Sequence, residues 1–285
     1  ASPRREYFAP REQSSLTGSR VLLTPRYSAY LRIAEGCDNR CSYCVIPMIR
    51  GAFRSAPMET LVEEARRLAE SGVRELLVVA QDITRYGLDL YGRRRLSDLL
   101  RELEKIPGIC WIRLHYLYPD EMDDELLETV AASRKVLHYF DIPIQHINDR
   151  VLRDMNRRGD GQLIRERIRR LRALMPDAIL RTSLIVGFPG ETEEEFDQSL
   201  AFIRKCGFAE MHIFPYSRRP GTPADKMPGQ HGNAVKEARS RAAIAVAEEM
   251  SRTYREALVG SVQSVLFEDV EDSLRRLGTD HLDVL

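Results

Sequence analysis

Short apolar segments alternate with amphipathic segments along most of the chain. The apolar segments are rich in β-branched and aromatic residues, as expected for strands buried on both faces. They lie at 30–36, 75–81, 110–117, 136–145, 178–187 and 210–217. The amphipathic segments have helical periodicity and lie at 59–72, 96–106, 124–133, 162–175, 192–207 and 234–258. The pattern therefore predicts an α/β chain of six strand-then-helix units.

Repeated units of this kind imply a parallel sheet with right-handed crossovers. Six units are fewer than the eight of a full TIM barrel, so the alternatives are an open partial barrel and a doubly wound sheet. In both, the functional site should lie at the carboxyl ends of the strands. Thr60 with Glu63 and Thr192 with Glu195 have the spacing of capping boxes, and Gly207 follows a helix where a terminating glycine is expected.

The composition changes this picture little. The chain has 285 residues, of which 43% are hydrophobic and 30% charged, as in an ordinary globular protein. Lysine and arginine total 43 and are balanced by 43 acidic residues, which argues against nucleic-acid binding by bulk charge and leaves a local basic groove possible. No apolar run approaches the roughly 20 residues of a membrane helix, and the first residues lack a signal-peptide core. We therefore expect a cytoplasmic chain that does not contact a membrane.

Three of the five cysteines lie close together, directly after the first predicted strand. Cys37, Cys41 and Cys44 have the spacing C-x-x-x-C-x-x-C, whereas Cys110 and Cys206 lie in apolar segments and are predicted to pack in the core. Thiolates select zinc or iron–sulfur clusters. Structural zinc usually takes four ligands, and no nearby histidine or fourth cysteine completes that set. Three thiolates on a cubic cluster would leave one iron free for a cofactor or substrate, which favours the cluster over zinc or unligated thiols.

This cysteine spacing, in a six-unit chain, resembles that of the radical S-adenosylmethionine (SAM) enzymes. The resemblance implies a partial (βα)6 TIM-like barrel at residues 29–260. It also implies a 4Fe-4S cluster on Cys37, Cys41 and Cys44, whose fourth iron binds the amino and carboxylate groups of SAM. The expected chemistry is reductive cleavage of SAM to methionine and a deoxyadenosyl radical that abstracts hydrogen, with the hard steps supplied by the cofactors.

Further segments resemble the methylthiotransferases of this superfamily, over about residues 20–260. They are RIAEGCDNRCSYCVIPMIRG, AQDITRYGLDLYG, YFDIPIQHINDRVLRDMNRR, TSLIVGFPGETEEEF and FPYSRRPGTPADKM. Gln81-Asp82 stands where the tRNA-modifying branch usually has Gln-Asn, and the stretch 86–92 also favours the branch that modifies an aspartate of small-subunit ribosomal protein S-twelve. A tRNA methylthiotransferase, a zinc-binding structural module and a barrel with a purely structural cluster stay open as alternatives.

The resemblance also implies which residues contact SAM, mostly at the ends of strands. Aromatic and loop residues are expected near the adenine, Gln81 and Asp82 near the amino group, and Gln145 near the ribose or substrate, while neighbouring His146 is more simply a structural residue. Arg181 and Ser183 share one strand face, and the buried Arg181 needs either the SAM carboxylate or an internal ion pair. The full expected set is Tyr43, Gln81, Asp82, Gln145, Arg181, Ser183, Val186, Gly187, Phe214 and Tyr216.

The family pattern has parts that this sequence does not show. A preceding domain should carry three more cysteines for a second 4Fe-4S cluster, and we interpret residues 1–28 as the linker or N-terminal arm after it. Residues 261–285 are predicted to begin a truncated TRAM-like domain or to form an anomalous tail. Their last part, 272–285, resembles a piece of aldo-keto reductases, from which no reductase function follows. The implied partners are ribosomal protein S-twelve, within or outside the ribosome, and an electron donor such as flavodoxin or ferredoxin.

Overall fold

The computed structural model of the protein describes residues 25–264. Most of the predicted arm at 1–28 and of the predicted tail at 261–285 lies outside these residues, as does the reductase-like piece at 272–285. In the described part, a parallel sheet packs its outer face against helices. None of the helices described within 25–264 has the length and apolar composition needed to span a bilayer.

The strands follow the predicted apolar segments, with shorter bounds. They are β1 Ser28–Arg32, β2 Ala34–Glu35, β3 Arg54–Ser55, β4 Glu75–Val79, β5 Trp111–Leu114, β6 Val136–Asp141, β7 Ile179–Val186 and β8 Glu210–Pro215. The main sheet has the order β1-β4-β5-β6-β7-β8, and every neighbouring pair is parallel. β2 and β3 form a separate antiparallel pair that the sequence pattern did not predict.

The helices are also close to their predicted positions. They are α1 Ile46–Arg50, α2 Met58–Glu70, α3 Leu88–Tyr91, α4 Leu96–Glu104, α5 Asp124–Ala132, α6 Asp149–Asp154, α7 Gly161–Leu174, α8 Glu193–Cys206 and α9 Asn233–Leu258. The six longer ones match the six amphipathic segments. The short α1, α3 and α6 lie in connections and were not predicted.

Two of the predicted helix-end signals are confirmed and one is wrong. Thr192 forms a complete capping box at the start of α8, and Gly207 ends that helix in the left-handed conformation, at φ 64°. Thr60 lies inside α2 instead of capping it. The helix begins earlier because the Met58 N–H is satisfied by the hydroxyl of Tyr91, at 2.9 Å, so no capping threonine is needed there.

The six-unit prediction is confirmed as a partial (βα)6 barrel. β1 and β8 are the two edges of the sheet among the described residues, so the barrel is open between them. Buried apolar side chains on the outer face of the strands pack against the helices and form the main core. On β7 the alternation turns Leu180 and Leu184 outward to this core and leaves Arg181 and Ser183 on the inner face.

The prediction for the two isolated cysteines holds for one of them. Cys206 is partly buried and packs against the core. Cys110 is exposed, contrary to the prediction, because it lies in the turn just before β5 begins. Its Sγ lies 3.8 Å from the carbonyl oxygen of Gly108, at the surface of that turn.

Candidate active site

A cavity of about 520 Å³ opens at the carboxyl ends of the main-sheet strands. The cysteine loop covers one side of it, and residues that lie in or directly after β4 to β8 form most of the rest. Its lining consists of Cys37, Cys41, Tyr43, Cys44, Ile46, Ala80, Gln81, Tyr116, Tyr118, Pro143, Gln145, Arg181, Ser183, His212 and Phe214. The three clustered cysteines and six of the ten expected SAM-contacting residues therefore share one cavity.

The cysteine loop is fastened to the chain that follows it. Gly36 has φ +81°, and a Cβ there would lie 2.0 Å from the carbonyl oxygen of Ala52, so only glycine fits this approach. Next to it, the Cys37 N–H donates to the carbonyl of Gly51 at 3.1 Å. The loop therefore closes over the β2–β3 pair, which fixes the first cysteine relative to the sheet.

A second set of hydrogen bonds joins the cysteine loop to the end of α6. The Ser42 N–H donates to the carbonyl of Met155 at 2.9 Å, and its hydroxyl donates to the carbonyl of Asp154 at 2.7 Å. The Asn156 side-chain amide donates to the carbonyl of Arg40 at 2.6 Å. We call these contacts the loop clamp. They attach the middle of the cysteine loop to the end of α6.

Two of the thiols have raised pKa values. Burial raises the pKa of the Cys37 thiol to about 11. A hydrogen bond with the backbone of Asn39 lowers this pKa by a smaller amount. Burial also raises the pKa of Cys44, partly offset by the Ile46 N–H, which donates to its Sγ at 3.4 Å. Both thiols are therefore neutral near pH 7 in the protein without metal. Metal ligation would require their deprotonation and would release protons.

Gln81 offers the cavity an unpaired acceptor. Its Oε1 is buried and has no hydrogen-bond partner among the described residues. Leaving such an atom unpaired costs about 1–3 kcal/mol. Because Gln81 lines the same cavity as the cysteines, a bound molecule with an N–H donor would satisfy it.

Asp82 is not part of the cavity lining. It is fully buried, and its Oδ2 accepts a 2.7 Å hydrogen bond from the side chain of Asn39, in the cysteine loop. Its Oδ1 accepts from the Thr84 N–H at 3.1 Å and also from the Thr84 hydroxyl. Burial raises the pKa of the Asp82 carboxyl despite these donors. In this structure Asp82 ties the cysteine loop to the end of β4.

Arg181 already has partners inside the barrel. Its Nη1 lies 2.9 Å from Asp141 Oδ2, its Nε lies 3.5 Å from Glu210 Oε2, and its guanidinium also contacts the ring of His212. The internal ion pair, one of the two partners expected from sequence, is therefore present. Arg181 still lines the cavity, so it presents part of its side chain there.

Gln145 occupies a strained position at the cavity. Its φ is 67°, in the left-handed region that a non-glycine residue rarely adopts. Hydrogen bonds hold it there, because its N–H donates to the carbonyl of Ser183 at 2.9 Å and its carbonyl accepts from Ile185 at 3.0 Å. The backbone strain is thus sustained by β7, and strained residues of this kind cluster at functional sites.

Three further expected residues lie behind the cavity wall. Val186 is buried in the core, and Tyr216 is buried edge-on against Phe188 with ring centroids 5.5 Å apart. Gly187 lies at a turn with φ +69°, and its N–H donates to Glu191 Oε2 at 2.6 Å. None of the three belongs to the cavity lining.

A buried polar network holds this turn in place. The Glu191 carboxylate also lies 3.1 Å from His146 Nε2 and accepts from Arg239, on α9, at 2.6 Å. The Glu191 and His146 side chains are at most 1% exposed, and the Arg239 side chain is 7% exposed. The buried His146 has local partners, in agreement with its interpretation as a structural residue.

Sequence reasoning missed several lining residues. Tyr116 and Tyr118 follow β5, and the rule that placed Gln81 after β4 would also have found them. Tyr116 has φ 62° and is 46% exposed at the cavity mouth. His212 lies two residues before Phe214 on β8, so strand alternation places both on the inner face. No sequence pattern around Pro143 or Ile46 indicates that they line the cavity.

The comparisons with known proteins agree with this geometry. The family model described as the radical SAM superfamily matches residues 31–203, from within β1 to within α8. The matched span contains the three cysteines and the residues that end the first five strands of the main sheet.

Curated relatives share about half of their residues with this chain. The chain is 49% identical over 250 residues to the ribosomal protein uS12 methylthiotransferase RimO of Alkaliphilus oremlandii, which is 88% of this chain and 57% of that protein. It is 51% identical over 249 residues to the protein of the same name from Pelotomaculum thermopropionicum, with 87% and 56% covered. The chain thus spans little more than half the length of these relatives.

Solved structures show the same fold at low sequence identity. Coproporphyrinogen III oxidase (HemN) from Escherichia coli matches with a TM-score of 0.57 and 19% identity, over 78% of this chain and 52% of that chain. The radical SAM methyltransferase TsrM from Kitasatospora setae, with cobalamin and a [4Fe-4S] cluster bound, matches with a TM-score of 0.56 and 19% identity, over 69% and 38%. These similarities describe the fold alone.

Proposed function

We propose a function from the premise that this chain belongs to the radical SAM superfamily. In this proposal Cys37, Cys41 and Cys44 hold a 4Fe-4S cluster, and SAM binds beside it in the cavity. The protein adds a methylthio group to an aspartate of ribosomal protein uS12, called S-twelve above. The chain described here is the catalytic barrel, at residues 29–260, of that methylthiotransferase.

One observation carries the proposal: three thiols and an unpaired buried amide oxygen line one cavity. Thiolates are the ligands that iron–sulfur clusters take, and Gln81 Oε1 fits a donor such as the SAM amino group. Within the described residues, no group of three or more histidine, cysteine or carboxylate side chains is arranged around a single metal ion. The cluster assignment therefore rests on the shared cavity and the chemistry of its donors.

The other lining residues have separate roles in this proposal. Gln81 orients SAM through its amino group, and Gln145 and Ser183 face the ribose. Tyr43 and Phe214 flank the adenine. Arg181, whose guanidinium also contacts Asp141, Glu210 and His212, faces the SAM carboxylate from the cavity lining. Val186, Gly187 and Tyr216 support the adenine side from behind the wall, and Asp82 positions the cysteine loop.

When bound, the cluster supplies the electron that cleaves SAM to methionine and a deoxyadenosyl radical. The protein's own part is to hold SAM in one orientation and to limit water around it. Tyr118 and Pro143 close the inner wall of the cavity, whereas Tyr116 and Phe214 are about half exposed at its mouth. We assign the mouth to the entering aspartate, because the replaced hydrogen must come within reach of the SAM ribose.

Two features support uS12 as the substrate. The curated relatives carry that substrate in their names. The stretch 86–92, which favours this branch, also has a defined place: the Asp89 carboxylate accepts from the N–H and hydroxyl of Ser55, at 2.8 and 2.6 Å. These hydrogen bonds hold β3 next to the stretch 86–92. This branch-specific stretch therefore belongs to the scaffold that supports the site.

The remaining elements of the proposal concern domains and partners beyond the barrel. A second 4Fe-4S cluster would lie in a preceding domain, and a flavodoxin or ferredoxin would donate electrons to the cluster in the barrel. Activity on a ribosomal protein would take place in the cytoplasm. After the barrel removes hydrogen, completing the methylthio group would require a sulfur atom from that second cluster and a methyl group from another molecule of SAM.

Isotope transfer tests the substrate directly. Reconstituted protein, dithionite and SAM are incubated with uS12 carrying deuterium on its aspartate carbons, or with tRNA deuterated on its bases. We expect deuterium in deoxyadenosine, measured by mass spectrometry, from uS12 alone. The step removes hydrogen before sulfur is transferred, so the test does not depend on the second cluster.

The opposite labelling pattern identifies the rival function. Deuterium from tRNA alone would favour a tRNA methylthiotransferase, and no transfer from uS12 while SAM is cleaved would contradict the uS12 assignment. Unlabelled uS12 and tRNA serve as matched controls for solvent exchange. Bound zinc without sulfide would instead support the structural-module alternative.

A further inference from the structure

We infer that Arg157 sets the reduction potential of the cluster, by placing a fixed positive charge against Cys41. The inference rests on the proposed function, because it requires the cluster on the three cysteines. Arg157 acts through the cluster and does not contact SAM, so it is a positioning residue in our assignment. No sequence motif singles out Arg157.

The guanidinium of Arg157 is enclosed between the cysteine loop and the barrel. The residue is 8% exposed, and its Nη1 lies 4.0 Å from Cys41 Sγ. Its Nη2 donates to the carbonyl of Pro143 at 2.7 Å, and its Cζ lies 4.2 Å from the ring centroid of Tyr118. The charge is thus held against one cysteine by a hydrogen bond and by the face of an aromatic ring.

No carboxylate among residues 25–264 forms a salt bridge with Arg157. Its neighbour Arg158 is less buried and has two acidic partners, Asp120 at 3.0 Å and Glu121 at 2.6 Å. A buried cation is costly unless an anionic group faces it. The group that Arg157 faces is the thiol of Cys41, which becomes anionic when it is a ligand. The enclosed cation therefore points to a negatively charged cluster at Cys41.

The backbone keeps this arrangement fixed. Arg157 follows α6, where Asn156 turns the chain with φ 52° and the Arg157 N–H donates to the carbonyl of Leu152 at 2.9 Å. The loop clamp joins the same turn to Arg40 and Ser42 on either side of Cys41. The guanidinium and the thiol thus belong to two backbone segments that these hydrogen bonds join directly.

Arg157 is not among the residues that line the proposed SAM cavity, although it contacts two of them, Tyr118 and Pro143. It lines a separate cavity of about 260 Å³, whereas Cys41 and Tyr118 line both cavities. Removing the charge should therefore alter the cluster with little direct effect on SAM. This separation lets the electrostatic role be tested apart from cofactor binding.

The expected effect follows from charge. One electron passes from an external one-electron reductant to the oxidised cluster, which gains one negative charge while the reductant is oxidised, and no bond to the protein forms or breaks. A nearby cation stabilises the more negative state, most strongly in a site from which water is excluded. Net charge and hydrogen bonds to sulfur are known determinants of cluster potentials. Arg157 should therefore favour reduction.

The test compares Arg157→Met and Arg157→Gln, which remove the charge, with Arg157→Lys, which keeps it. Arg158→Met is the matched control. Each reconstituted protein is titrated with dithionite anaerobically, and the reduced cluster is followed by electron paramagnetic resonance. We expect the neutral variants to bind iron like the wild type and to be at least tenfold harder to reduce, about 59 mV for one electron. Arg157→Lys and Arg158→Met should stay near the wild-type potential.

Each outcome decides a separate point. Equal potentials in the wild type and a neutral variant would overturn the inference, as would a shift of the same size in Arg158→Met. Failure of both neutral variants to fold without the cluster would also overturn it, since the arginine would then serve the metal-free protein. Absence of a cluster in the wild type itself would contradict the proposed function.

Discussion

Cys37 shows how burial keeps the thiol of a proposed metal ligand in its neutral form. Cys37 is 6% exposed, and desolvation raises the pKa of its thiol to about 11. A free thiol in such a place is a poor nucleophile, because the thiolate is the reactive form. The protein without metal therefore keeps this ligand neutral and protected until a metal displaces its proton.

The raised pKa of Cys37 gives a pH-dependent prediction for the metal-free protein. Alkylation by iodoacetamide should increase about tenfold per pH unit above pH 7, without a plateau before about pH 10, since the thiolate fraction grows until the pKa is reached. Peptide mass spectrometry after timed quenching measures the rate. The exposed Cys110 should be labelled faster throughout. A plateau for Cys37 between pH 8 and 9, near the value of an ordinary cysteine, would contradict the assignment.

At the residue scale, sequence predicted more of the site than of its surroundings. Cys37 and Gln81 were predictable because motif and strand end coincide there. The burial of Asp82 was not, since its partner Asn39 is 43 positions away and only the fold brings the two together. The position of Arg157 was not predictable for the same reason. It lies 116 positions after Cys41, and only the fold brings the two side chains together.

Among the elements, the turn between β7 and α8 depends on a helix far along the chain. Arg239 of α9 donates to both the side chain and the main-chain carbonyl of Glu191, at 2.6 and 3.0 Å. Glu191 in turn receives the N–H of Gly187. α9 thus holds the turn that supports the proposed adenine side of the cavity.

This coupling predicts a large stability effect from a small change. Glu191→Gln should lower the free energy of unfolding by about 3–5 kcal/mol, because it removes the buried carboxylate that faces Arg239 and leaves only the exposed Glu193. Glu193→Gln is the matched control: Glu193 pairs with the same arginine at 3.2 Å, but its side chain is 74% exposed. We expect at most about 1 kcal/mol there. Urea unfolding of both variants measures the difference, and equal losses would contradict the proposed anchor.

The order of elements followed from periodicity, since long buried strands and amphipathic helices have distinct patterns. Periodicity did not predict the shorter elements, which are the β2–β3 pair and the helices α1, α3 and α6. Two to six residues are too few to show a period. Their positions depend on tertiary bonds instead. The exposed Cys110 illustrates the same limit, because it immediately precedes Trp111, the half-buried first residue of β5.

For the whole molecule, the open barrel explains why the site is accessible. Among residues 25–264, β1 and β8 are edge strands that do not pair with each other, so the six-stranded sheet stays open between them. The cysteine loop covers the carboxyl end, and the cavity mouth lies beside Tyr116 and Phe214. The sequence predicted the number of strand-then-helix units, but only the structure shows which strands form the edges of the sheet.

Anaerobic reconstitution with iron and sulfide, followed by reduction in the presence of SAM, tests the central claim most directly. Metal and sulfide analysis and chromatography of deoxyadenosine are measured on the wild type, on alanine variants of Cys37, Cys41 and Cys44, and on Cys110→Ala as the control. The account predicts about four irons and four sulfides per chain, with deoxyadenosine formed by the wild type and Cys110→Ala and by none of the three ligand variants. Zinc in place of iron, a cluster that leaves SAM intact, or cleavage retained by a ligand variant would contradict it.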